Sequence, residues 1–479
     1  MATTTRPARP AAPSYAPDEA PNAAPNAAPN AGPAPAPAPS PEAPAAWPWW
    51  QRVLFRFAFV YALLETGPWG WLDRFPWVAR LGLTRPLDRL DDWAVHAANA
   101  RLFHVRDTLV PLNGSGDTSY AWTQLWLYLS VAAVAAVVWS ALDRRRRAYP
   151  RLLYALRTVV RYWVCAAALT YGIIKLFLLQ MPFPTLSQLA TPLGDFLPMR
   201  FSWMFIGYSA TYQFFSGLVE TVAGVLLLWR RTVTLGLMVA AGAFLNVALI
   251  NLSYDVPVKL YSMHLLVGCA LLLASDARRL VTFLVLNRAA PGTAAYEPPA
   301  GVPRWARLAG KGVLVVLFLV LPFWSTWERS RSPVYRALLG MAPARPFPAG
   351  VYDVRRFVRN GDTVAVAAAD PRRWRDVIID NGAGGSVATA DTAFWQRYGR
   401  GYFRYSTDTA RRTLAAWRVS TRPGDSVPVF TARYEQPDGR TVRLWARLRG
   451  DSVYAELVRT ERRFPLAERQ FHWLSEYNR

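Results

Sequence analysis

Lysine, histidine and cysteine are all scarce in this 479-residue chain, which has three, four and two of them against 55 positive residues in all. The two cysteines, Cys165 and Cys269, fall inside apolar stretches, and neither belongs to a C-x-x-C pair. Thiol–disulfide chemistry is therefore disfavoured. His264 has no second His, Cys or carboxylate at helical ligand spacing, which argues against a metal site. Haem, flavin and iron–sulfur motifs are missing as well, so a redox role would need a partner subunit. Two glycines in "PLNGSGDTSY" form a weak phosphate-loop match without the preceding strand such a loop needs, and the segment reads as a turn.

Apolar length is abundant. Hydrophobic residues make up 52% of the chain and aromatic residues 14%, gathered into blocks of about 17 to 23, the length that crosses a bilayer as a helix. Spans are expected near 53–71, 119–142, 160–180, 206–229, 232–250, 259–275 and 308–327. The first is the weakest, because it carries Arg56 and Glu65 and is broken by Gly67 and Pro68. Positive residues mark cytoplasmic loops, and they crowd "DRRRRAYPRLLYALR", Arg230–Arg231 and "DARRLVTFLVLNR". The loops 181–202 and 251–258 are nearly free of them. Seven spans with the amino terminus in the cytoplasm then put residues 330–479 outside. The formal charge of +23 is explained by loops that set topology and touch anionic headgroups, so no nucleic-acid partner is implied.

The fold class expected is mainly α: a polytopic membrane bundle with a small C-terminal antiparallel β domain. Residues 1–46 form a Pro/Ala-rich tract too poor in bulky apolar residues to build a core; it reads as a disordered cytoplasmic tail and not as a signal peptide. Residues 47–150 hold two added spans and, at "PLDRLDDWAVHAANARLFHV", an amphipathic helix on the outer membrane surface. In the turn that follows, Asp117 and Thr118 are suited to capping the second span. Residues 151–290 are the four-helix core, 291–330 a loop and the seventh span, and 331–479 the outer β domain. There "VYDVRRFVRNGDTVAV" reads as two runs around an Asn-Gly turn, and "PVFTARYEQPDGRTVRLWARLRGDSVYAELVRT" as a three-strand meander. Its "RGD" fits a tight turn better than an adhesion motif.

A charged side chain in hydrocarbon costs on the order of 3 kcal/mol, so each is by default either paired or part of a site. Glu220 lies ten residues before Arg230, about 15 Å from the cytoplasmic edge. Lys175, Asn246, His264 and Glu65 fall in the outer half, which suggests one polar cavity opening outward with Glu220 at its floor. Gly217, Glu220 and Gly224 share a face on which another helix can approach closely. Pro257 suits the first turn of the sixth span, and Asp255 sits beside its amino terminus, where a carboxylate is favoured. Lys259 is disfavoured there unless Asp255, Glu65 or a bound anion compensates it. Two of the three lysines, Lys175 and Lys259, belong to this cluster. Three uses fit it: a structural network, a site for a small polar or redox ligand, or a path for ions or protons.

Residues from about Tyr171 to Leu280 resemble the DoxX-like membrane proteins, through "YGIIKLF", "PLGDFLPMRFSWMFIGYSATYQFFSGLVETVAGVLLLWRRT", "FLNVALINLSYDVPVKLYSMHLL" and "SDARRL". The closing "RQFHWLSEYNR" is similar to the ending of a longer subgroup with an extra outer domain. The resemblance covers about a quarter of the chain. It implies a four-helix core of spans three to six in a bacterial inner membrane, and a quinone-like or other lipophilic redox partner. The paired cysteines of vitamin K epoxide reductases and methylamine-utilisation relatives are absent here, which speaks against dithiol chemistry. By motif match, Lys175, Arg200, Tyr208, Glu220, Asn246, Asp255, Lys259 and His264 carry over as the ligand-binding positions. The rival expectation is a non-catalytic envelope protein whose bundle anchors the β domain for another membrane or periplasmic protein.

Overall fold

A computed structural model describes residues 46–290 and 303–476, together with Gly292, Tyr296 and Gly301, apart from 367–369, 393, 395–397, 420–425 and 470. The tail expected over 1–46 lies outside the described residues except for Ala46.

About half the chain is helical, and a helix stands at each place where a span is expected. These are α1 (Trp49–Thr66), α3 (Ser119–Leu142), α4 (Pro150–Leu176), α6 (Ala210–Leu228), α7 (Val233–Ser253), α8 (Lys259–Ala274) and α9 (Arg304–Arg331). Between them come α2 (Arg85–Ala98) and α5 (Pro198–Tyr208). Five helices, α3, α4, α6, α7 and α9, are long and apolar enough to cross a membrane; α8 makes a sixth if counted with Ala277–Val285, from which it bends by 76°. Helix α1 carries Arg52, Arg56 and Glu65. Its buried Arg56 is satisfied by Tyr149 Oη, Ser140 Oγ and the Asp143 carbonyl.

Helix α4 is the hub. It packs on α6, which packs on α7, then α8, which returns to α4 and closes a four-helix ring. α1 and α9 lie against the ring, and α3 pairs with α1. Outward residues such as Val134, Val137 and Leu142 on α3 are more than 60% exposed, as lipid-facing positions are. Helix α2 leaves Leu87, Leu90 and Trp93 exposed, and its Asp91 accepts hydrogen bonds from Gln124 and Tyr128 of α3.

The expected 206–229 span is broken at Ser209, whose hydroxyl accepts from the Tyr212 N–H to start α6. At the preceding turn Gly207 lies against the backbone of Met181 and Pro182, where a Cβ would stand 2.6 Å from the Pro182 carbonyl.

Residues 350–459 form an antiparallel barrel: β1 (Gly350–Arg359), β3 (Trp374–Asp380), β4 (Gly384–Thr389), β5 (Arg400–Asp408), β6 (Thr413–Val419), β7 (Ser426–Glu435), β8 (Thr441–Leu448) and β9 (Asp451–Arg459) pair in sequence, and β9 returns to β1. A two-residue β2 (Asp362–Thr363) extends β1 around the Asn360-Gly361 turn. Alternate residues point inward, filling the barrel with Tyr352, Phe357, Trp374, Phe403, Phe430 and Leu444. The "RGD" is the β8–β9 turn, with Arg449 and Gly450 at positive φ as a tight hairpin requires.

The barrel meets the helical part at the loop between α4 and α5. Ser187, in a one-turn helix (Leu186–Leu189), donates its N–H and hydroxyl to Asp380 at 2.9 and 2.6 Å. Ser386 donates to Ser187, and Arg400 donates to Ser386 and pairs with Asp376. Every member of this chain except Asp376 is buried.

Candidate functional site

Lys175 is in the last turn of α4, where a cation is favoured by the helix dipole. Its Nζ lies 2.5 Å from Glu220 Oε1 on α6, and both residues are at most 5% exposed. Close packing of the two helices makes the pair possible. A Cβ on Gly217 would stand 2.7 Å from the Gly172 carbonyl and from Lys175 Cβ, and one on Gly172 only 2.5 Å from Thr221 Oγ1. The glycine face expected on α6 therefore takes α4 as its partner. Gln213, two turns before Glu220, clamps the chain leaving α4 through paired bonds to the N–H and carbonyl of Met181. Spacing alone did not single out Gln213.

The pair faces a cavity of about 270 Å³. Tyr171, Trp203, Tyr212, Phe244 and Tyr261 supply rings, and Ser216, Asn246, Asn251 and Ser262 supply polar groups. Gly114, from the Gly-Ser-Gly turn, lines it too. The other carboxylate oxygen of Glu220, Oε2, is buried without a hydrogen-bond partner. Such an atom calls for a donor from water or a ligand. Asn246 is exposed on the flank of α7, so the chamber is open on that side. Sequence reasoning missed Tyr171 and Ser216; each stands one turn before a recognised residue, Lys175 and Glu220, and that i, i+4 relation is the signal that could have found them.

The eight carried-over positions do not form one cavity. Lys175, Glu220 and Asn246 line this chamber. His264 faces an adjoining one of about 390 Å³ with Glu65, and the two chambers share Gly114, Tyr171, Val258 and Tyr261 as walls. The His264 Nδ1–H donates to the Leu260 carbonyl at 2.7 Å, which leaves Nε2 to accept from the Tyr61 hydroxyl at 2.5 Å. Glu65 Oε1 is 3.9 Å from Nδ1. The reason for the division is helical geometry: on α8, Ser262 lines the first chamber, and His264, two positions on, is turned about 200° around the helix axis.

Lys259 is instead held at the start of α8 by Asp255 at 2.7 Å and Asp117 at 3.6 Å. The carboxylate at that amino terminus is Asp117, which accepts from the N–H groups of Lys259 and Leu260. Asp255 is exposed and lies at positive φ. Asp117 was expected to cap α3 with Thr118; only Thr118 does so, accepting from the Ala121 N–H. Arg200 and Tyr208 lie on α5 against the C-terminal part of the chain, where Arg200 Nε donates to Tyr398 Oη and Tyr208 Oη to the Arg469 carbonyl.

No family model matches the chain, and no solved structure matches it. Among curated proteins, the uncharacterized protein YwoB of Bacillus subtilis (strain 168) is 41% identical over 78 residues, which are 16% of this chain and 51% of that protein. The chain thus spans about half the length of the curated relative that it matches.

Proposed function

We propose that this chain is a seven-span protein of the bacterial cytoplasmic membrane that holds the polar head of a quinone-like or other small lipophilic ligand beside Lys175 and Glu220. The observation that carries the reading is the chamber of about 270 Å³ into which this buried pair and its unpartnered oxygen open among five aromatic rings. A buried ion pair adds little stability over well-packed apolar residues, and interiors are normally filled. A pair kept at the wall of a cavity is better explained by what the cavity receives. Its size is just below the range of drug-sized sites, which suits one ring-sized head. The Lys175 ammonium and the Asn246 amide are donors for carbonyl oxygens, Glu220 is placed to hold a proton beside them, and the opening at Asn246 gives an apolar tail a way out between helices. The similarity to DoxX-like sequences points the same way. A redox-associated role would take its electrons from a partner subunit.

The orientation follows from the positive loops: amino terminus in the cytoplasm, barrel outside. With α1 and α8 counted, the spans number seven. A second reading, in which the bundle anchors the barrel for another membrane or periplasmic protein, draws support from the buried Ser187–Asp380–Ser386–Arg400 seam.

The test is a calorimetric titration of the purified full chain in detergent with a short-chain, water-soluble quinone. Saturable binding weakened at least tenfold by Glu220→Gln and by Asn246→Ala supports the reading. Binding that neither substitution changes, or no binding, removes it.

A further inference from the structure

Helix α5 has two faces. Met199, Trp203 and Ile206 line the Lys175–Glu220 chamber. Leu197, just before the helix, and Phe201, Phe205 and Tyr208 fall about half a turn around it and are between 40% and 66% exposed. The stripe does not stop at the end of α5. Phe205 is in ring contact with Tyr212 at 6.1 Å and Tyr208 with Phe183 at 5.8 Å. Beyond Tyr212 the exposed Phe215, Leu218 and Val222 carry it along α6, a helix long and apolar enough to cross a membrane. Aromatic rings gathered where such a helix begins match the belt that spanning segments place at headgroup depth.

The C-terminal segment reaches the same place. Tyr208, two residues before α6 begins, donates its hydroxyl to the Arg469 carbonyl at 3.3 Å. Phe471, Trp473 and Leu474 then follow within five residues, at most about 17 Å of extended chain. They are 74%, 94% and 77% exposed, and no large apolar side chain among the described residues is more exposed than Trp473. Phe471 and Trp473 meet edge-on at 5.0 Å, so they form a patch instead of scattering. An exposed apolar patch of this kind marks a contact surface, and its continuity with the outward side of α6 says what covers it. We propose that α5 and residues 471–474 together form a bilayer-docking surface, which seats at the boundary of headgroups and acyl chains where α6 begins and holds the chain end beyond the barrel against the lipid. It rests on α6 crossing the membrane and not on a ligand in the chamber, so the two assignments stand or fall separately.

The test uses the full chain in lipid discs of dioleoyl phosphatidylcholine, with a nitrobenzoxadiazole fluorophore attached at one introduced cysteine. Cys165 and Cys269 are fully buried, so the dye reports the introduced site. Ser475→Cys and Phe205→Cys probe the surface, Val137→Cys on α3 is the lipid reference, and Gln436→Cys in the β7–β8 turn is the water reference, each first checked for an unchanged elution volume and melting point. The quenchers are phosphatidylcholine with a nitroxide near the top of its acyl chain, and aqueous iodide. Both surface probes are expected to be quenched by the nitroxide lipid at least half as strongly as the lipid reference, and to be shielded from iodide relative to the water reference. Replacing Phe471, Trp473 and Leu474 together by Ser should bring the Ser475→Cys probe to the water reference and leave the Phe205→Cys probe unchanged. Either surface probe behaving as the water reference in the otherwise unaltered chain overturns the proposal. So does a Ser475→Cys probe shielded from both quenchers, which would mean that protein covers the patch, or lipid quenching there that the serine replacements leave unchanged.

Discussion

Replacing Lys175 by Met leaves the Glu220 carboxylate in a buried position without its cation. Both partners are at most 5% exposed, so water reaching them through the chamber offsets only part of the loss, and breaking a buried pair from one side costs about 3–5 kcal/mol. Glu220→Leu, which strands the ammonium, should cost a similar amount. The double variant Lys175→Met, Glu220→Leu removes both charges and should lie within about 1 kcal/mol of wild type, because apolar replacement of a whole buried pair is close to neutral or stabilising. The singles sum to roughly 6–10 kcal/mol, so the double-mutant cycle should show non-additivity of about 5 kcal/mol or more. The assay is unfolding in mild-detergent micelles titrated with sodium dodecyl sulfate, followed by far-ultraviolet circular dichroism. A double variant as unstable as the sum of its singles would refute the reasoning. So would a single variant within about 0.5 kcal/mol of wild type, the effect expected of a solvated surface residue.

Three further outcomes follow from local geometry. Asp117→Ala removes the acceptor for two N–H groups of α8 and should cost about 1–2 kcal/mol in the same titration, whereas Asp255→Ala, at an exposed pair, should cost under about 1 kcal/mol. Gly217→Ala places a Cβ 2.7 Å from the α4 backbone and should cost about 1–3 kcal/mol by overpacking, with loss of whatever binds at Lys175 and Glu220. In the barrel, Asn360 and Arg359 hold the Asp451 carboxyl below the ordinary carboxylate range. A depressed carboxylate contributes stability that is present above its ordinary pKa, about 4, and is lost as the pH falls through the lower folded value. The melting point of the barrel, followed by tryptophan fluorescence, should therefore drop below about pH 4 in wild type and drop less in Asp451→Asn.

The apolar runs disclosed where the helices are, because lipid contact forces them to be apolar along their length. They disclosed the ends less well. α4 begins at Pro150, ten residues before the apolar run, and those added turns carry Arg151 and Arg157. Charged turns that continue a helix past the membrane are invisible to hydropathy. The break at Ser209 was hidden for a different reason: it answers to the contact of Gly207 with the irregular segment at Met181 and Pro182, 25 residues upstream. Position along a helix was legible for Lys175, Glu220, Asn246 and His264, since it follows from counting residues. The face each presents depends on which helices surround it, and so the separation of His264 from Lys175 was not. Asp117 capping a helix that starts 142 residues later is likewise a tertiary contact with no local signature. The meander β7–β9 was legible from alternation and its two turns, whereas the choice between an open sheet and the barrel closed by β9 on β1 stayed open, because nothing local distinguishes a closing strand from an edge.

The central claim, that the chamber beside Lys175 and Glu220 is a ligand site, is tested most directly by purifying the full chain in native lipid discs and identifying co-purifying small molecules by mass spectrometry. Wild type is compared with the Lys175→Met, Glu220→Leu variant, which should keep its fold. The account predicts a quinone-like or other small lipophilic molecule at near one per chain in wild type and its loss from the variant. Equal contents in the two preparations, or bulk lipid alone in both, would contradict it.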